Sequence, residues 1–188
     1  MPNASSYRIG LARLVCRTAL LLLLALAVPS HTAVTTTPPA REFRLRLYHT
    51  HTNERIDVVY RRGDSYLPQA LDELDRFLRD HRTGDVHHFD PRLFDLLSDL
   101  TTAVRRPNAE IAIICGYRSP WSNEYLRQTT SGVAKTSLHM QAEAIDIRIP
   151  AVQTAYLHDA AIALRRGGVG YYPQSNFVHV DLGRVRRW

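Results

Sequence analysis

From residue 41 onward the chain alternates between apolar and polar positions. REFRLRLYHTHTNERIDVVYRRGD (residues 41–64) keeps a period of two on either side of a turn centred on residues 52–54, which predicts a β-hairpin closed by Gly63-Asp64. The period then lengthens. After Pro68, apolar side chains recur at Leu71, Leu74, Phe77 and Leu78, so LPQALDELDRFLRDHR predicts a helix broken by Gly84. A second helix is predicted where Asp90 can cap and Pro91 can open a stripe of Leu93, Phe94, Leu96, Leu97, Leu100 and Val104. AEIAIIC predicts a buried strand ending at Gly116, SPWSNEYLRQTT a short helix, SGVAKTS a loop and AIDIRIP a strand. VQTAYLHDAAIALRR predicts a third long helix stopped by Gly167-Gly168. The rest, VGYYPQSNFVHVDLG, predicts two short strands around a turn at residues 173–176. Helices interleave with few strands, so the expected class is α+β, with a small antiparallel sheet packed against several helices.

The first forty residues follow another pattern. Arg8, Arg13 and Arg17 precede the apolar run TALLLLLALAV and then a group of small residues. This predicts a secretory signal over residues 1–30, with an apolar core too short for a confident membrane span. TAVTTTPPA continues as a linker to residue 40, and residues 41–188 form the domain. Membrane contact is expected only through an uncleaved leader, and nothing in the sequence calls for more than a monomer. The formal charge is +6, and setting aside the three leader arginines leaves about +3, too little to argue for nucleic acid. One of the two cysteines, Cys16, falls in the leader. Cys115 therefore has no disulfide partner, and its place in IAIIC predicts a buried, inert thiol.

Two strand segments carry groups that burial alone does not explain. SLHMQAEAID holds His139 and Asp146, and FVHVDLG holds His179 and Asp181 two positions apart on one strand face. Two imidazoles and a carboxylate suit a three-ligand zinc site whose fourth position is left for water. Asp181 can act there as a general base or as a carboxylate that orients a histidine ligand. His49, His51, His81, His87 and His88 read as surface residues. Tyr171, Tyr172 and Trp121 could line a cleft beside the metal, whereas Phe177 reads as core.

The motif S-x-H-x6-D at Ser137, His139 and Asp146 precedes the x-H-x-D strand. GYRS (residues 116–119), SGVAK (131–135), GGVGYYP (167–173) and SNFVHVD (175–181) accompany it. Together these resemble the LAS group of zinc peptidases, which includes lysostaphin and the D-Ala-D-Ala metallopeptidases, and within it the murein endopeptidase K branch. The likeness runs from about residue 43 to residue 188. It implies a fold of the hedgehog and D-Ala-D-Ala-peptidase type, with Zn2+ held by His139, Asp146 and His179. It assigns Arg118 to a substrate carboxylate or to the oxyanion, against the alternative of a structural ion pair. The implied activity is hydrolysis of peptidoglycan cross-links in the periplasm during wall growth. D-Ala–diaminopimelate bonds are the first candidate and diaminopimelate–diaminopimelate bonds the second. The rivals are a D,D-carboxypeptidase and a non-catalytic wall-binding module. Two positions depart from the group's pattern. Ala142 replaces a usual glycine and strains the loop if φ is positive there. Asn176 replaces an acid, which leaves Asp181 as the nearest candidate base.

Overall fold

The alternating segment that opens the domain folds as a hairpin of β1 (Glu42–His49) and β2 (Arg55–Arg62), with the short β3 (Ser65–Tyr66) added to its edge. This is a computed structural model, and it describes residues 40–188, so the expected leader lies outside the described residues. Leu45, Leu47 and His49 point from β1 into the core while Arg44 and Arg46 face solvent.

Helix α1 (Pro68–Phe77) begins at its proline, as expected, and ends before the stretch that the apolar spacing predicted. The reason is tertiary: the carbonyl of Leu78 accepts from the amide of Tyr117. Helix α2 (Pro91–Ala103) is capped by Asp90, whose side chain accepts from the amide of Arg92, and it buries Leu93, Phe94, Leu96, Leu97 and Leu100. There follow β4 (Glu110–Cys115), α3 (Pro120–Thr129), β5 (Ala144–Arg148), α4 (Thr154–Leu164), β6 (Gly168–Tyr172), β7 (Phe177–Asp181) and β8 (Arg186–Arg187).

The class is α+β, but the sheet corrects the expectation of a small antiparallel one. It has eight strands in the order β3-β2-β1-β4-β5-β7-β6-β8, and the pairs β1/β4 and β6/β8 are parallel. The two helices between the hairpin and β4 explain the first of these. A crossover of that length can return the chain beside β1 in the same direction, which no tight turn can do. Helices α1, α2 and α4 pack on the sheet around a core of residues such as Leu47, Leu74, Phe94, Ile113 and Ile147.

Two backbone details bear on the site. Helix α4 stops at Leu164 with Arg165 in the left-handed region, so Gly167-Gly168 is not its stop. A Cβ on Gly167 would come within 1.8 Å of the Asp181 carbonyl oxygen, and one on Gly168 within 2.5 Å of Asp181 Oδ2. The glycines are there because the backbone passes directly over Asp181. Ala142 does adopt positive φ, at 53°, as it closes the 3-10 turn Leu138–Gln141, a strain of about 1 kcal/mol that its full burial holds in place.

Candidate metal site

Strand register lays the site out. Cys115 pairs with Asp146, Asp146 with His179, and His179 with Gly170, so four neighbouring strands present one row to the same face. Simple alternation would not put Cys115 there, because Ile113, two residues earlier, is fully buried in the core. The ladder slips between Ile113 and Cys115, and this bulge turns the thiol from the core face to the row. Gly170 leaves room for the indole of Trp188, which stands 5.3 Å from the His179 ring.

His139 arrives from the 3-10 turn. Ser137 caps that turn and accepts from the His139 amide. Each imidazole has one nitrogen fixed by an acceptor. His139 Nδ1 lies 2.8 Å from the carbonyl oxygen of Gly116, and His179 Nε2 lies 3.0 Å from Asp181 Oδ2. If these nitrogens carry the protons, His139 Nε2 and His179 Nδ1 are left with free lone pairs. They stand 3.2 Å apart, at 3.2 Å and 2.8 Å from Asp146 Oδ1. A tetrahedral ion with bonds of 2.0–2.1 Å requires ligand separations of about 3.3 Å, so the donor set and its spacing fit zinc. All three residues are buried.

The local electrostatics reflect the same crowding. Burial opposes a charged His139, but Asp146 and Cys115 outweigh it and push the imidazole up to about 10. Burial likewise opposes charge on Asp146, and His139 and His179 hold it well below the usual carboxylate range. A metal entering here must displace the His139 proton, so its affinity rises with pH.

Asp181 lies behind His179, away from the converging nitrogens, and is fully buried. Its oxygens accept from His179, from the amides of Gly168 and Gly183, and from both terminal nitrogens of Arg186, at 2.7–3.0 Å. Of the two roles expected for Asp181, these contacts suit the orienting one. A base would need an open lone pair facing the cleft, and Asp181 does not line it. Arg118 does line it, with its side chain 12 % exposed and Nη2 at 3.7 Å from Asp146 Oδ2 and 3.4 Å from Cys115 Sγ. Its buried Nε has no partner among the described residues.

Other expectations need correcting. His49 is 1 % exposed rather than on the surface. Phe177 lines the cleft, stacked on Tyr172, whereas Trp121 is 61 % exposed and lies outside it beside Tyr125. Asn176 turns away and bonds Thr154, its positive φ of 53° being one that asparagine adopts readily. Arg186, in the C-terminal GRVRRW, is a residue of the site that the sequence reasoning did not single out. The signal for it was the buried Asp181, which needed a counter-charge.

The row with its candidate ligands and the turn that completes it sit in a cleft of about 710 Å3. Its other walls are the loop after α3 and the β6–β7 turn. A cleft floored by such a set of candidate ligands suits a metal-dependent hydrolase. The family model described as peptidoglycan L,D-endopeptidase MepK matches residues 36–188, and the chain belongs to that family. It is 43% identical over 156 residues to a probable peptidoglycan L,D-endopeptidase MepK of Haemophilus influenzae, covering 83% of each chain. It is 40% identical over 146 residues to the peptidoglycan L,D-endopeptidase MepK of Escherichia coli K12, covering 77% of this chain and 79% of that one. No solved structure matches the chain.

Proposed function

We propose that this chain is an exported, zinc-dependent murein endopeptidase that opens peptide cross-links of peptidoglycan in the periplasm. The observation that carries the metal is the convergence of His139 Nε2, Asp146 Oδ1 and His179 Nδ1 at 2.8–3.2 Å in a cleft. The relatives' name specifies L,D bonds. Of the two cross-links considered, the diaminopimelate–diaminopimelate bond is the one whose carbonyl belongs to an L centre, and it becomes the first candidate.

Zinc would supply a Lewis acid for the scissile carbonyl and bring water to ionise near neutral pH. The protein's own groups do the rest. Gly116 and Asp181 fix the two imidazoles so that no ring reorients during turnover. Arg118 offers a nearly buried guanidinium to the developing oxyanion or to a substrate carboxylate. Tyr172, Phe177 and Trp188 wall the cleft beside His179 and limit water.

The test is digestion of purified peptidoglycan by protein starting at residue 31, with and without chelator, followed by muropeptide analysis. Cross-linked dimers should fall to monomers, and chelation or His139→Ala should abolish this along with stoichiometric zinc. Release of D-alanine with cross-links intact would instead mark a carboxypeptidase. Binding without any cleavage by zinc-loaded protein would mark a wall-binding module.

A further inference from the structure

The cleft extends beyond the metal ligands. It continues to His51, in the β1–β2 turn, and to His81 and Arg82, in the segment after α1. In the sheet, β1 is separated from β5, which carries Asp146, by β4 alone. Two strand spacings place this end on the order of 10 Å from the reacting centre, about the reach of a few residues of bound peptide.

Charge along the cleft is one-sided. Its lining includes Arg82, Arg118 and Arg186 but only one acid, Asp146. Arg118 stands 3.7 Å from Asp146, and Arg186 is held by Asp181. Arg82 has no carboxylate within 4.0 Å of its guanidinium among the described residues. Neighbouring acids have other partners: Asp80 is buried and accepts from the amides of Arg82 and Ser119, Asp85 accepts from the Thr83 hydroxyl, and Glu54 pairs with Arg79. Beside Arg82, the rings of His51 and His81 stack at 3.9 Å, 6° from parallel. Burial, then His51 and Arg82, press His81 down to about 4, so it stays neutral at working pH and can donate a hydrogen bond without adding charge. His49 stands edge-on to both rings. Its Nδ1 accepts from the amides of His51 and Thr52, which puts the proton on Nε2, a buried donor with no partner among the described residues.

We propose that Arg82, with the stacked His51 and His81 beside it, forms a subsite for a substrate carboxylate several bonds away from the one cleaved. The ligand class is a peptide with a free carboxylate, which cross-linked stems carry on glutamate and diaminopimelate. The inference rests on the peptidase reading for its substrate and deepens it by naming what one end of the cleft recognises. An arginine gives such a group two parallel charge-assisted hydrogen bonds, which an amide in its place cannot match.

The experiment compares two soluble cross-linked peptides, one with free carboxylates and one with those carboxylates amidated. Binding is measured by calorimetry on chelated protein, so this arm needs no turnover and survives if the bond assignment fails. KM and kcat follow on zinc-loaded protein. Wild type should prefer the free acid by about tenfold in Kd and KM, and Arg82→Gln should erase that preference. Arg82 is exposed, so an unchanged Tm should accompany the variant. A preference that persists in Arg82→Gln, or equal weakening of both peptides, would overturn the subsite.

Discussion

Two groups of histidines stand along one side of this molecule, and they differ in the way that decides whether imidazoles become ligands. At His139 and His179 each ring is fixed through one nitrogen, and the other nitrogens meet at Asp146 Oδ1. At His49, His51 and His81 the fixed nitrogen of His49 faces backbone amides, and the other two rings lie face to face. Lone pairs in parallel rings run side by side and do not converge, and no ring nitrogen of these three contacts a carboxylate among the described residues. The proton follows the same division. Beside Asp146, His139 is pushed up to about 10, while burial brings His49 and His81 down to about 4. Carboxylates and ring orientation, more than the number of imidazoles, distinguish the candidate metal site.

The sharpest way to break this comparison is to take away the orienting carboxylate. Asp181→Asn leaves an amide whose NH2 must face donors, either His179 and Arg186 or Arg186 and the amides of Gly168 and Gly183, and it removes the charge opposite Arg186. We expect zinc affinity to fall about 10–100-fold, with turnover returning to within about threefold of wild type at saturating zinc. Competition with a chelating dye measures the first, and muropeptide cleavage across a zinc series the second. A loss of tenfold or more that excess zinc does not repair would make Asp181 a base after all.

The other cluster can be tested through pH. His49 stays neutral in the fold below its ordinary 6.5 and down to about 4, for which burial is the main cause and His51 the second. The unfolded chain takes up the proton first, so this contribution is intact above about pH 6.5 and is lost as pH falls toward 4. Between pH 7 and pH 5 the loss from this one group is about 2 kcal/mol. His49→Asn keeps an oxygen for the amides of His51 and Thr52 but cannot titrate. Urea unfolding of the two proteins, both chelated, should show a flatter acid limb for the variant by that amount. Parallel limbs would mean that His49 is as protonated in the fold as out of it.

What was readable in advance follows from which interactions are local. Period and caps located the hairpin, α2 and the strands of the row, because Asp90-Pro91 and the alternation of AIDIRIP act within a few residues. AIDIRIP was read as a strand and Asp146 sits in it, whereas His139, read in the same strand segment, comes from the 3-10 turn before it. Long-range effects were not readable. The parallel pairing of β4 with β1 depends on how two helices return the chain. The early end of α1 depends on Tyr117. Gly167-Gly168 looked like a helix stop because the same residue type serves both a left-handed cap and a close backbone approach, and only the position of Asp181 distinguishes them. His49 looked like a surface residue because its strand partners in the core were not yet known.

The smallest expected effect concerns Cys115, which the bulge moves into the ligand row. Its Sγ lies within 4.8 Å of a ring nitrogen of His139 and a carboxylate oxygen of Asp146, close enough to raise the question of a fourth donor. The contacts argue against one. Sγ stands 3.4 Å from Arg118 Nη2, and the three nitrogen and oxygen donors already meet at the edges a tetrahedral ion requires. A catalytic ion also needs its remaining position open to water, which a thiolate would close. Cys115→Ala should therefore keep one zinc per chain and wild-type turnover within about threefold, at a cost of about 1 kcal/mol or less for a small side chain at the cleft floor. Cobalt substitution adds a direct reading. A sulfur-to-cobalt charge-transfer band in wild type that disappears in Cys115→Ala, with a tenfold loss of metal affinity, would add the thiol to the ligand set and narrow the difference between the two histidine clusters to a matter of what surrounds the rings.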